Sequence, residues 1–347
     1  MDALPSWAWV LIVLSLVAVA WLLHLAFWTR RLRLDLPYDD ELELDAPDGG
    51  RFVLRRLRGA SPGRPVLLVH GVAANHRNLD AHPEVSLARH LAAEGRDVWL
   101  LTLRSGMRGR RGPVRFDAMA RHDVPRTIAR VLELTESTSL DYVGFSMGGM
   151  LLYAGLARGH VQSEQLRRVV IVGSPGRVVS PLAGLGLLVR IPSWLVPTFP
   201  LRAGARGYAF AVDLLHTPLH RLVYNPKNLA PRHAAHALVN VIEDIPAGLN
   251  ADLAAMLRAG EVRCEGSPVL PDLAEVKVPA LFLAGAADGI APPHAVRAAF
   301  EAWGAEDKRF EVIGRESGAD HDFGHGDLAV GHSAVVEVFP RVAAFLG

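Results

Sequence analysis

The chain has 347 residues and a single cysteine, Cys264. One thiol excludes an intramolecular disulfide, and nothing else in the sequence marks an oxidising compartment. Net charge is also lacking. With histidine neutral it is +1, so no global field points to nucleic acid or to a strongly acidic partner. Lysine is scarce: the 37 basic residues are nearly all arginine, which reads as coding bias and not as a site. Internal repeats and low-complexity tracts are missing. What the chain has in excess is hydrophobicity, with 50% apolar residues and a mean hydropathy of +0.20.

The excess has a source. Trp7 to Trp28, WAWVLIVLSLVAVAWLLHLAFW, holds no Asp, Glu, Lys or Arg. As a helix rising about 1.5 Å per residue it spans ~30 Å, the hydrocarbon thickness of a bilayer. Tryptophans gather at both ends, where indoles favour the interface. A core helix of this length shows a polar face, whereas here only Ser15 and His24 are polar. A cleaved signal peptide starts basic and ends on small residues. This start carries Asp2, and HLAFWTRR has no such end. Residues 1–34 are therefore expected to be a retained membrane anchor, a single pass spanning about 7–28, with His24 near the interface. Arg30, Arg31 and Arg33 follow the span and no basic side chain precedes it. That bias places the rest of the chain on the cytoplasmic side.

After the anchor, Glu41–Asp45 alternates, Asp48–Gly50 turns, and Arg51–Leu57 alternates back, which is the pattern of a hairpin. From Pro65 the rhythm changes. PVLLVHG (Pro65–Gly71), RDVWLLTL (Arg96–Leu103), LDYVGF (Leu140–Phe145) and LRRVVIVGS (Leu166–Ser174) are continuous apolar runs, as strands buried on both faces require. Helical patterns separate them, one ending near Glu94–Gly95, one over Phe116–Glu136 and one over Met147–Gly159. The alternation predicts an α/β fold, a mostly parallel sheet with helices on both faces. It stops at Pro175. Residues 176–273 carry prolines, scattered aromatics (Trp194, Phe199, Tyr208, Phe210, Tyr224) and helical fragments, but no strand-like run. It resumes with VPALFLAGAADG, a helical PHAVRAAFEAWG, KRFEVIG and a helical HSAVVEVFPRVAAFLG. The expected domains are an anchor (1–34), a core (35–175), a helical cap insertion (176–273) and the rest of the core (274–347).

Gly144-Phe145-Ser146-Met147-Gly148 fits G-x-S-x-G, between a strand and a helix. The spacing has a steric cause. A sharp strand-to-helix turn lifts the serine hydroxyl above the sheet, and side chains two residues to either side collide, so both places need glycine. A glycine-rich turn without chemistry is the plainer reading; the strand before and the helix after argue for a nucleophile at Ser146. A serine hydroxyl needs a base within hydrogen-bond reach and a carboxylate to orient that base, in the chain order Ser, acid, His. Asp288 directly follows the strand in LFLAGAADGIAPP and is the expected acid, with Asp252 and Asp272, inside the insertion, as weaker alternatives. The base belongs in the loop before the last helix, where SGADHDFGHGDLAVGHS offers His321, His325 and His332.

Two backbone donors are expected to hold the oxyanion. One is the amide of Met147, after the nucleophile, and the other that of Val72, in the loop after PVLLVHG. His70 is expected to be structural. His321 and His325, with Asp320, Asp322 and Asp327 nearby, have the composition of a metal site. The segment is glycine-rich and not helical, so the spacing does not put them on one face. No metal and no cofactor are expected.

These residues resemble the α/β-hydrolase superfamily, and within it the acid lipases of the gastric and lysosomal type. VLLVHGVAANHRNL is similar to their oxyanion strand and loop, and DVWLLTLRSG to a strand that follows. HDVPRTIARVLELTESTSLDYVGFSMGG is similar to their helix and nucleophile turn, with Asp123 and Pro125 in place, and GHGDLAVG to the segment holding their catalytic histidine. The match covers roughly Pro65–Ser174 and Pro279 onwards; the insertion does not match. The resemblance implies an α/β-hydrolase fold and selects His325 over His321. Phe145 and Met147 replace polar residues of the family beside the nucleophile, which alters pocket polarity and not the chemistry. That family is mostly secreted and disulfide-containing, whereas this chain has an anchor and one cysteine. Polyhydroxyalkanoate synthases look similar too, but their nucleophile is a cysteine. Here the turn holds Ser146, and Cys264 lies in the insertion.

The expected function is hydrolysis of a carboxylic ester, lipidic or long-chain, by a membrane-anchored enzyme. Its partners are a small-molecule or lipid ester and the membrane, not nucleic acid; the oligomeric state is not legible. Acyl transfer to another acceptor, thioester or amide cleavage, and a non-catalytic binding protein of this fold are the alternatives. The basic run RSGMRGRRGPVR (Arg104–Arg115) reads first as a solvated loop and second as a contact for anionic head groups.

Overall fold

The computed structural model describes residues 5–59, 63–109, 112–180, 198–215 and 222–347. The uncharged stretch forms one helix, α1 (Ser6–Leu32). Its most apolar part is not buried against the chain. Its 27 residues at about 1.5 Å each make it long and apolar enough to cross a membrane. The later turns of α1 do touch the protein. A Cβ at Gly207 would sit 2.2 Å from the Trp21 ring. His24 Nε2 pairs with the Gly207 carbonyl at 2.9 Å, and Trp28 stacks on Phe210 at 5.8 Å. His24, expected near the interface, is thus a contact between α1 and the insertion.

The main sheet has eight strands: β1 (Asp40–Asp45), β2 (Arg51–Leu57), β3 (Pro65–Val69), β4 (Asp97–Thr102), β5 (Leu140–Phe145), β6 (Leu166–Val172), β7 (Ala280–Gly285) and β8 (Lys308–Ile313). Their spatial order is β1-β2-β4-β3-β5-β6-β7-β8. β1 and β2 form the expected hairpin and β2 runs antiparallel to β4, while every other neighbouring pair is parallel. β3, β4, β5 and β7 are buried along their whole length, which is why they read as unbroken apolar runs.

The longer helices after α1 are α2 (Leu87–Ala93), α3 (Val124–Thr135), α4 (Met147–Ala157), α5 (Leu201–Tyr208), α6 (His233–Asn240), α7 (Ala247–Ala259), α8 (Pro293–Ala302) and α9 (Phe339–Leu346). Alternate strand residues feed two cores. Leu67, Val69, Tyr142 and Phe282 pack with α3, α4 and α8, whereas Val66, Leu68, Val143 and Leu283 pack with α2 and α9. This is the α/β-hydrolase fold expected from the sequence. Two details differ. The helix over Phe116–Glu136 widens into a π-turn at Met119–Asp123. The C-terminal helix breaks at Val338 into a short turn (Ala334–Glu337) and α9, because Pro340 has no N–H to continue the first turn.

Between β6 and β7 the chain leaves the sheet for α5, α6 and α7. A ribbon of Arg263–Cys264 against Ser267–Pro268, unseen in the sequence, closes this stretch. Trp194 and the rest of 181–197, with 216–221, lie outside the described residues. The insertion joins the core through backbone and polar contacts. Ile242 bridges Ala74 and the Glu243 N–H donates to the Ala73 carbonyl at 2.8 Å. Asn75 Nδ2 donates to the Asn240 carbonyl at 3.0 Å and to Glu243 Oε1 at 3.1 Å.

Candidate active site

Ser146 stands at the junction of β5 and α4 with φ at 53°, a conformation that costs a residue with a Cβ about 1–3 kcal/mol. Neighbouring bonds hold it there. Its N–H donates to the Val172 carbonyl at 2.9 Å, and its own carbonyl accepts from Gly149 and Met150. The two flanking glycines are needed for room. A Cβ on Gly144 would meet the Gly149 nitrogen at 2.6 Å, and one on Gly148 would meet the Val69 carbonyl oxygen at 2.2 Å.

Two loops bring partners to the hydroxyl. Asp288 follows β7, where its Oδ1 accepts from the Ile290 and Ala291 amides at 2.8 and 2.7 Å. Its Oδ2 lies 2.8 Å from His325 Nδ1, and His325 Nε2 lies 2.9 Å from Ser146 Oγ. The carboxylate can only accept, so Nδ1 carries the proton and Nε2 is free to accept from the serine. All three residues are buried. The Phe145 ring packs on the imidazole at 5.0 Å, so an apolar face lies against His325.

The loop after β3 carries Val72. A Cβ on Gly71 would sit 3.0 Å from the Ser146 Cβ, so this loop runs against the serine. Its shape is set from behind. The Gly71 N–H donates to Asn78 Oδ1 at 3.1 Å. His70 Nε2 accepts from the Leu103 N–H at 3.0 Å, which leaves Nδ1 protonated to donate to the Gly71 carbonyl at 2.7 Å. Complete burial pushes the His70 pKa down to about 4, so the ring is neutral. Among the described residues, neither the Val72 nor the Met147 N–H donates to any protein acceptor. Each of these two free amides is next in the chain to a residue of the site: Met147 directly follows the serine, and Val72 directly follows Gly71, which lies against it.

The other candidates are engaged elsewhere. Asp252 binds Arg115 at 2.5 Å and Asp272 binds Arg158 at 2.6 Å. His321 sits four residues before His325 on the same loop and His332 packs beside His233 at 6.0 Å; the ring that faces Ser146 is that of His325. Of the residues suggestive of a metal, Asp322 binds Arg315 at 3.0 Å. A different trio, His82, Glu84 and His233, brings one ligand atom each within 4.8 Å of one another, away from the serine.

In the basic run, Arg108 is exposed as a loop residue would be, but Arg104 differs from both readings. Arg104 is fully buried, bound to Asp123 at 2.6 Å and to Asp48 at 2.6 Å. It is a core residue, neither a solvated one nor a contact for head groups, because β4 has only just ended at Thr102. Arg110 and Arg111 lie outside the described residues. The sequence reading also missed what holds the His325 loop. Asp327 Oδ2 accepts from the Gly324 N–H at 3.0 Å and from Asn228 Nδ2, in the insertion, at 2.6 Å. Asn225 Nδ2 donates to the Asp322 carbonyl at 2.8 Å. Burial raises the Asp327 pKa to about 6. The only available signal was an Asp two residues after the histidine.

A family model described as alpha/beta hydrolase fold matches residues 64–315, more than half of the chain. The chain belongs to the alpha/beta hydrolase fold family. Among curated proteins it is similar to the gastric triacylglycerol lipase of Homo sapiens, 33% identical over 129 residues, which are 32% of this chain and 32% of that protein. The resemblance to gastric-type lipases is thereby borne out. The chain spans about a third of the length of the curated relatives it matches. Among solved structures, an esterase (EaEST) from Exiguobacterium antarcticum superposes with a TM-score of 0.56 at 17% identity, over 88% of this chain and 99% of that one. A membrane phospholipase A, described as a novel bacterial virulence factor, superposes with a TM-score of 0.55 at 17% identity, over 98% and 96%. At these identities the likeness is one of fold.

Proposed function

We propose that this chain is a membrane-anchored serine ester hydrolase acting on lipidic or long-chain carboxylic esters. The observation that carries the reading is the line from Ser146 Oγ through His325 to Asp288, with separations of 2.9 and 2.8 Å. In this mechanism His325 Nε2 takes the serine proton as Oγ attacks the acyl carbonyl. The Val72 and Met147 amides hold the resulting oxyanion, and Asp288 faces the imidazolium. His325 returns the proton to the leaving alcohol as its C–O bond breaks, leaving the acyl group on Ser146. Water, deprotonated by the same nitrogen, then releases the acid.

The insertion over 176–273 serves as the cap that takes the acyl chain. α1 anchors the enzyme, with the hydrolase domain on the cytoplasmic side, as Arg30, Arg31 and Arg33 after the span favour. The names of two similar proteins, a triacylglycerol lipase and a membrane phospholipase, support a lipid substrate.

The test uses the full chain in detergent, wild type beside Ser146→Ala, on p-nitrophenyl esters from acetate to palmitate. Turnover is expected to fall by about 10,000-fold or more in the variant, and the wild type to favour the longer chains. A fluorophosphonate is expected to label the wild type alone. A folded wild type that neither turns over an ester nor takes the label would mean a binding protein.

A further inference from the structure

α1 and the insertion enclose a groove of about 730 Å³. Leu25 and Thr29 of α1 form one wall, and Arg30, Arg33, Arg202 and Arg206 converge on it. Among the described residues, the one carboxylate in its lining is Asp35, which holds Arg33 at 3.1 Å on the exposed rim. Arg202 reaches Glu243 at 3.4 Å. Among the described residues, Arg30 and Arg206 are in no ion pair. Arg206 donates to the Val239 carbonyl at 3.3 Å, and its buried Nε has no partner. Burial, with the charges of Arg108 and Arg202, holds its guanidinium below the ordinary arginine range, although the Glu243 and Asp244 carboxylates pull partly the other way. Like charges that converge around a buried unpaired donor are unfavourable unless an anion joins them.

The surroundings say which anion. Trp21, His24 and Trp28 lie about half a turn to two and a half turns before Arg30 on the same helix and pack on Gly207 and Phe210. On the insertion side Phe210 is 50%, Leu215 57% and Leu214 82% exposed. Indoles and bare apolar side chains, succeeded by arginines, are the layering of a lipid–water boundary. A lipid phosphate there meets guanidinium forks suited to bidentate bonds.

We propose that this groove binds the phosphate of an anionic phospholipid, held by Arg30, Arg202 and Arg206, with its acyl chains lying along α1. The inference rests on α1 as an anchor and not on the chemistry at Ser146. The bound lipid clips the anchor to the insertion and so fixes how the insertion meets the bilayer.

The experiment takes the full chain in detergent, carrying Ser146→Ala so that no lipid is consumed. Native mass spectrometry follows retention of dioleoyl phosphatidylglycerol and dioleoyl phosphatidylcholine. Each arginine beside a lipid phosphate is worth about fivefold in affinity. The phosphatidylglycerol preference is therefore expected to drop by about 25-fold in Arg30→Gln/Arg206→Gln, and to survive in part in the corresponding lysine pair. Should the melting temperature show that the pair is misfolded, Arg30→Gln alone, on the exposed helix, carries the test with a drop of about fivefold.

Equal retention of the two lipids, or a preference unchanged in the folded glutamine variants, would overturn the proposal. So would glycerol 3-phosphate binding as tightly as phosphatidylglycerol, which would assign the groove to a free phosphate ester. A chain that stays monodisperse without detergent would remove the anchor itself. Loss of ester turnover leaves lipid retention untouched, so the two readings fail separately.

Discussion

The sheet core and the insertion handle buried charge in opposite ways. In the core, Arg104 is closed in by Asp123 and Asp48, each at 2.6 Å, and nothing is left over. In the insertion, Arg206 has a buried Nε with no partner, and the two arginines beside it outweigh the carboxylates of Glu243 and Asp244. Between them, at the seam, Asp327 is a buried carboxylate held by neutral donors from both sides. A charge matched inside the protein serves the fold. One left open in a groove invites a ligand, and one held by neutral donors at a seam senses how the two regions fit.

The largest effect is expected in the core. Arg104→Met leaves Asp123 buried without its cation and is expected to cost about 3–5 kcal/mol. Urea unfolding reads the loss, while turnover per folded molecule stays unchanged; a small cost would mean that the core pair is no more closed than the groove. The seam comes next. The Asp327 carboxyl, raised to about 6 by burial, binds its proton at higher pH when folded than when unfolded, where it titrates near 3.8. The folded state therefore holds more protons across that window, and stability from this group falls as pH rises from about 4 to about 6. The whole effect is bounded at ~3 kcal/mol. Thermal melts over the window are expected to show a shallower slope in Asp327→Asn than in the wild type, because buried Asp123, also raised to about 6, keeps its own share; parallel curves would remove Asp327 from the list of strained groups. The smallest effect is expected at Asn228→Ala, about 1 kcal/mol of stability. Because Asn228 reaches both Asp327 and the Asp322 carbonyl, ester turnover is expected to fall more than stability does, by up to ~100-fold if His325 moves by an ångström. Equal loss in both would make the seam merely structural.

The sheet was legible because strands buried on both faces must be apolar throughout, as PVLLV and ALFLAG are. The turn at Ser146 was legible because crowding leaves glycine as the only fit at 144 and 148. His325 was not legible from spacing alone, since three histidines share one glycine-rich loop, and the resemblance had to choose. The burial of Arg104 was hidden because its partners lie 56 and 19 residues away and the local run is basic. The contact of α1 with Gly207 was hidden for the same reason: hydropathy measures length and composition, not which turn of a helix another segment leans on.

His70 has a consequence for how acid affects the candidate site. The ring that braces the Val72 loop is tied at both nitrogens and stays uncharged until about pH 4. Two histidines thus frame the serine, one as a brace and one facing its hydroxyl, and the brace keeps its neutral hydrogen-bonding form down to that limit. As the medium is acidified toward that limit, the loop beside the serine therefore keeps its shape, so that passage through mild acid leaves this part of the frame without anything to refold.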